Sequence, residues 1–237
     1  MFDDIGKSKF NYHDDVFRNR KTVKPTQDLF DDLSDNPKNW EVAITLDKLT
    51  RPNYSAPSII HAPFAYFTNS LDKNDPWPSR FSDGSFPAWY GSVEQETTVF
   101  ETLYHFIYDY YSSGLREIRE PVIVDREIFK IEMKAEICDL RKMTKYDLNN
   151  PVEWAECQQI GKWMFDKNYS GAITGSARCD GNNIVCFKEN VLLSHRNYRF
   201  VTYRFYPSKN IAVVSYSDSE YRVRVSNDNY ISLNKID

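Results

Sequence analysis

From Val122 to the C-terminus the chain is written largely in short β-branched and aromatic runs, and this texture constrains the fold more than any other feature. VIVDREIFKIEMK, AEICDL, NIVCF, RFVTYRFY, IAVVSYS and YRVRV follow one another, several with period-two alternation. Such runs read as strands on a pleated, half-buried surface. The PSKN segment between Tyr206 and Ile211 reads as a hairpin turn. Two helices accompany the strands. SVEQ has a capping-box pattern, with Ser92 as N-cap and Gln95 at the third helical position. Behind it Val99, Leu103, Phe106, Ile107 and Tyr110 recur at helical spacing until Ser112, Ser113 and Gly114 stop the helix. The second helix is expected from Pro151 to about Lys167, capped by Asn150 with Pro151 in its first turn. Strands and helices do not alternate, and neither GxGxxG nor GxxxxGK[ST] occurs. A doubly wound nucleotide fold is therefore disfavoured, and the expectation is α+β, a mainly antiparallel core with flanking helices.

Residues 1–40 read as an N-terminal extension and 41–237 as the main domain. The extension is rich in Asp, Lys and Asn around short apolar groups, and suits one or two helices packed on the body or an ordered arm. WEVAITLDKL, from Trp40 to Leu49, is ambiguous between strand and helix. Prolines at 52, 57, 63, 76, 78 and 87 make the stretch before the first helix extended and loop-rich.

Composition excludes more than it proposes. With 30 basic against 34 acidic residues the net charge is -4, which offers no overall field for a polyanion, so direct nucleic-acid binding is not expected. Cys138, Cys157, Cys179 and Cys186 form no CxxC pair and the four histidines are scattered, so neither a metal site nor a disulfide framework is expected. MFDDIGKSKF lacks an apolar signal core, and no stretch approaches the ~20 apolar residues of a membrane span. A soluble cytoplasmic protein is the simplest expectation. Sixteen Tyr, 15 Phe and five Trp are an unusual share; most serve core and sheet packing, and amphipathic tyrosines can also line a groove for a ring-bearing ligand.

Three constellations carry chemistry. Ser79-Arg80-Phe81-Ser82-Asp83-Gly84 is followed by Ala88-Trp89-Tyr90-Gly91-Ser92; Glu101 lies in the first helix; Gly175-Ser176-Ala177-Arg178 precedes Asp180-Gly181-Asn182-Asn183 and the IVCF strand. Ser176 lacks the GxSxG elbow of a serine hydrolase, and His61, His105 and His195 read as surface or structural residues. In this order SRFSDG, AWYGS, VFETLYH and TGSARCDGNNIVCF resemble the segments of the RES-domain family over roughly residues 50 to 205.

The resemblance implies a fold related to ADP-ribosyltransferases and an enzyme that consumes NAD⁺, releasing nicotinamide by phosphorolysis or hydrolysis. Many such proteins are toxins of the Xre/RES toxin-antitoxin type, held in check by a small DNA-binding antitoxin, so NAD⁺ and a cognate antitoxin are the expected partners. No cofactor is implied; NAD⁺ is substrate, and inorganic phosphate is the co-substrate of the phosphorolytic route. Carried over by position, Arg80, Tyr90, Glu101 and Ser176 are the expected catalytic residues, with Arg178 and Asn183 as substrate-binding residues. A further arginine nearer the start of such domains is matched by Arg51, in LTRPN, which the resemblance also implies as substrate-binding, and the family arginine is either Arg80 or Arg51. AWYGS and SRFSDG depart from the commoner leucine-containing and Gly-Gly-Arg-Trp-Asn versions.

The residue types suit that chemistry. Cleaving the ribose–nicotinamide bond builds oxocarbenium character, which a carboxylate such as Glu101 can stabilise. A diphosphate favours a forked cationic donor such as Arg80 over a lysine. Tyr90 can stack on or hydrogen-bond the nicotinamide end, and Ser176 can donate to phosphate or ribose oxygens. The nicotinamide group is cationic before it leaves, so no general acid is required. Two rivals stand beside this reading: transfer of ADP-ribose to a macromolecule, and a non-catalytic module binding a nucleotide or a protein.

Overall fold

A computed structural model describes residues 2–22, 59–64, 78–114, 120–227 and 230–236. Nine strands form one sheet: β1 (Lys9–Lys21), β2 (Trp89–Ser92), β3 (Val122–Asp139), β4 (Gly171–Gly175), β5 (Asn182–Cys186), β6 (Leu192–Tyr206), β7 (Ile211–Ser215), β8 (Glu220–Asn227) and β9 (Ile231–Ile236). Two long helices among the described residues accompany them, α1 (Gln95–Ser112) and α2 (Ala155–Asp166). The expected α+β class with a mainly antiparallel core is what the chain adopts; only the short β3–β4 pairing is parallel.

β3 organises the sheet. VIVDREIFKIEMK and AEICDL carry no Gly or Pro between them, so they merge into one strand instead of two. Its length allows three partners: β6 along one part, β1 in antiparallel register from Lys9↔Cys138 to Lys21↔Arg126, and β4 at Cys138 and Asp139. The order β1-β2-β5-β4-β3 together with the β1–β3 pairing closes a ring of five strands, and β6 to β9 extend outward from β3. β1 lies within the segment set apart as an extension, and it is a strand of the ring, not one or two helices or an arm. Residues 40–49, ambiguous in sequence, lie outside the described residues.

Each helix covers one apolar surface. α1 buries Val99, Leu103 and Ile107 completely against Tyr203, Phe205, Val214 and Val223 of the outer strands. α2 lays Cys157, Ile160 and Met164 on Ala172, Val185 and Phe187. Within the ring, Val16, Trp89, Ile131, Met133 and Ile184 form a separate core. Ile184 and its neighbour Val185 point into different cores, so β5 is buried on both faces and supplies a stiff support.

Both helix starts differ from expectation. α1 begins at Gln95 after Glu94, because Ser92 still belongs to β2, paired with Asn183. α2 begins only at Ala155. Asn150 Oδ1 does accept from the Val152 and Glu153 amides, at 2.9 and 2.8 Å, but this makes a turn before the helix and does not cap it. The hairpin at PSKN is present: Pro207–Lys209 form a short 3-10 turn, and Asn210 closes it at φ 51° into β7. No helix among the described residues is long and apolar enough to cross a membrane.

Candidate active site

Where α1 crosses β2, β5 and β1, a cleft of about 320 Å³ opens. That is at the lower end of the roughly 300–1,000 Å³ typical of small-molecule sites. Arg80, Tyr90, Glu101, Arg178 and Asn183 all line it. Ser176 reaches it through a hydrogen bond to Glu101. Arg51 lies outside the described residues.

Glu101 faces the cleft from the second turn of α1. Its Oε1 accepts from Ser176 Oγ at 2.7 Å and from Asn183 Nδ2 at 2.5 Å. Ser176, buried directly after β4, in turn accepts the Arg178 amide at 3.0 Å, and Ser92 Oγ donates to Asn183 Oδ1 at 2.8 Å. The register of the helix is set one step earlier. Glu94 accepts from the Asn182 amide and side chain, both at 2.8 Å, and from Thr97 Oγ1 at 2.7 Å. Burial pushes the Glu94 carboxyl up, but these donors outweigh it and hold the group below its ordinary value.

Three guanidiniums share the cleft. The loop before α2 grips two of them: Arg80 Nη1 donates to the carbonyls of Leu148 and Asn150 at 3.3 and 2.8 Å, and Arg178 Nη2 to that of Pro151 at 2.9 Å. The Arg178 guanidinium carbon lies 3.4 Å from the Tyr104 ring centroid, a cation–π stack. The third is Arg18, in β1. It donates to the Tyr90 carbonyl at 3.1 Å and sits over the Trp89 ring. Burial lowers Arg18 to about 10, so it remains cationic at neutral pH.

Tyr90 is placed differently from its expected role. Its ring borders the cleft, but its hydroxyl accepts the Phe81 amide at 2.8 Å and lies 2.9 Å from Ser79 Oγ. It therefore anchors the loop that carries Arg80. Burial raises the phenol to about 12, which keeps it neutral. The same loop is seated by Gly161 of α2, where any Cβ would overlap the Phe81 carbonyl. His105, expected at the surface or in a structural role, lines the cleft one turn after Glu101. Its side chain is exposed at the cleft, where desolvation by its neighbours lowers its pKa, partly countered by Glu101.

Among the described residues, the buried side-chain polar atoms without a partner are Trp154 Nε1, Thr174 Oγ1, Arg178 Nε, Arg178 Nη1 and Tyr221 Oη. All but the last belong to residues that line the cleft. An orphaned buried donor costs about 1–3 kcal/mol, so this clustering marks a surface completed by a polar ligand. The positive charge of the partly unmatched Arg178 guanidinium favours an anionic one. No group of three or more His, Cys, Asp or Glu side chains among the described residues is arranged to hold a metal ion.

Sequence reasoning missed Arg18, Trp154 and Thr174 as cleft residues and Ser92 as a polar partner of Asn183. Arg18 sits outside every motif, in a segment set apart from the main domain. Trp154 falls within the second expected helix, outside every motif, and Ser92 read as a helix cap. No local signal separates these roles; the β1–β3 and β2–β5 pairings create them.

A chain in the crystal structure of the M. tuberculosis MbcT-MbcA toxin-antitoxin complex is similar at 11% identity and a TM-score of 0.44, covering 86% of this chain and 90% of that chain. A likeness at that level is distant and carries no functional weight. The search of curated proteins finds no match to the chain. The family comparison is specific: the RES domain matches residues 45–205, spanning the Arg80, Tyr90, Glu101 and Ser176 segments and well over half of the 237 residues. The chain belongs to the RES-domain family.

Proposed function

We propose that the protein consumes NAD⁺ by cleaving the bond between nicotinamide and ribose, and that it acts as the toxin of a toxin–antitoxin pair. The observation that carries the enzymatic reading is the union in one cleft of the doubly hydrogen-bonded Glu101 carboxylate and three guanidiniums, Arg18, Arg80 and Arg178. Membership of the RES-domain family supports it, and the toxin role rests on that membership alone.

In this reading the diphosphate lies against the arginines, with the unmatched Nε and Nη1 of Arg178 donating to its oxygens. Glu101 faces the ribose. As the C–N bond breaks, its electron pair goes to the nicotinamide nitrogen, and the positive charge passes to the ribose carbon and ring oxygen. Two donors occupy Oε1, leaving Oε2 to stabilise that charge or to hold a ribose hydroxyl. An oxygen of phosphate, or of water that gives up one proton to solvent, then bonds to the anomeric carbon. Nicotinamide departs as a neutral molecule, so no residue must protonate it.

The test is to incubate purified protein with NAD⁺, with and without inorganic phosphate, and follow free nicotinamide. Phosphate-dependent release indicates phosphorolysis; phosphate-independent release indicates hydrolysis. Radiolabelled ADP-ribose retained on protein or nucleic acid would replace this reading with transfer. Binding of NAD⁺ without nicotinamide release would replace it with a non-catalytic module.

A further inference from the structure

Resting on the reading of Glu101 as the group that meets the ribose, we propose that Ser92 and Asn183 form a positioning relay that acts on Glu101 and makes no contact with substrate. The relay is built into the sheet. β2, β5 and β4 are neighbours, and their registers Ser92↔Asn183 and Thr174↔Asn183 place three small polar residues in one row across the strands. Ser92, 3% exposed, and Thr174, 3% exposed, flank Asn183.

The orientation of each group in the row follows from the next. Glu101 Oε1 can only accept, so the amide of Asn183 must turn Nδ2 toward it. That turn aims Asn183 Oδ1 at Ser92, whose hydroxyl must then donate. The carboxylate thus sets the direction of the amide, and the Ser92 hydroxyl, donating to Oδ1, holds the amide in the plane that keeps Nδ2 on Glu101. Hydrogen-bonded in sequence from Ser92 to Asn183 to Glu101, this chain favours one geometry.

A second contact shows that α1 is held in register independently. Asn182, next to Asn183 on β5, clips Glu94, and Glu94 precedes Glu101 by seven residues, about two helical turns. Asn182 thus sets where the helix lies, and Asn183 sets where the Glu101 carboxylate points. Separating those tasks explains why Ser92, spent on β2 pairing and on Asn183, is not the cap of the helix that follows it.

The experiment is a double-mutant cycle read by nicotinamide release and by calorimetric binding of carba-NAD⁺, which resists cleavage. Ser92→Ala is expected to lower kcat about tenfold, the worth of one well-made hydrogen bond, with the carba-NAD⁺ Kd unchanged. Asn183→Ala is expected to lower kcat further, again at constant Kd. In the Asn183→Ala background, Ser92→Ala should add no more than about twofold, because a relay cannot be broken twice. Ser92→Thr, which keeps the hydroxyl, should restore kcat. A crystal structure of Ser92→Ala should show Asn183 Nδ2 displaced from Glu101, a readout that needs no turnover. Unchanged kcat in Ser92→Ala, multiplicative losses in the double variant, a Kd that rises in step with the loss of kcat, or an Asn183 amide still seated on Glu101 would each overturn the relay. Absence of nicotinamide release by the wild-type protein would instead overturn the activity on which it rests.

Discussion

The two ends of the cleft differ in how complete they are. At the carboxylate end, Oε1 of Glu101 has two donors, Ser176 and Asn183, and each donor has a further partner, the Arg178 amide and Ser92. At the cationic end, Arg178 leaves Nε and Nη1 buried and unmatched, with Trp154 Nε1 likewise unpaired in the lining. On the proposed function, the first end is preorganised for a charge that develops during reaction, and the second is completed by an anion. On that reading chemistry and affinity are assigned to different ends of one cleft, and substitutions should separate them.

The largest effect is expected at the preorganised end. Glu101→Gln should lower kcat for nicotinamide release by about 10²–10³, the usual cost of removing a group aimed at developing charge. Its carba-NAD⁺ affinity by calorimetry should stay near wild type. A matching fall in affinity would erase the distinction between the ends.

Arg178→Ala should show the opposite pattern. Losing one charge-assisted pair of about 1.5–3 kcal/mol weakens carba-NAD⁺ binding by roughly one to two orders of magnitude. Arg178→Lys should not rescue it, because an ammonium replaces neither the fork nor the stack on Tyr104. In thermal denaturation, carba-NAD⁺ at 100 times its Kd should stabilise the wild-type protein by about 2.7 kcal/mol, and the same concentration should stabilise Arg178→Ala far less. Equal stabilisation would show that the cationic end is not where the anion binds.

Tyr90→Phe tests the scaffold behind the cationic end. It removes the acceptor of the Phe81 amide and should cost about 1–3 kcal/mol in chemical denaturation, with KM rising more than kcat falls. The smallest effect is acidic. His105 is exposed at the cleft, yet desolvation by the residues around it lowers its pKa in the folded state, so the native protein resists a proton that the unfolded chain accepts. Stability should therefore decline as pH falls below about 6.5, the ordinary histidine value, and His105→Gln should flatten that part of the pH–stability curve.

The division between sequence and structure follows the range of the interactions. Alternating runs after Val122, helical spacing from Val99 to Tyr110 and the PSKN turn are local patterns, and they located the outer strands, α1 and the β6–β7 hairpin. The ordered Arg80, Tyr90, Glu101 and Ser176 segments were likewise legible, because each sits in a short motif. The helix starts were not. The hydroxyl of Ser92 and the amide oxygen of Asn150 suit a cap equally well on paper, and strand pairing in one case and a turn in the other decided between uses.

By itself, then, the sequence determined the α+β class, the family and which residues could carry the reaction, since these depend on residue type and on spacings shorter than one element. Only the tertiary structure decided what those residues do together. Pairing of β1 with β3 spans more than a hundred positions and carries Arg18 into the cleft from a segment that reads as an extension. Pairing of β2 with β5 turns Ser92 from a helix cap into a partner of Asn183. The loop before α2 orients Arg80 and Arg178 through backbone carbonyls, which every residue possesses and no motif can advertise.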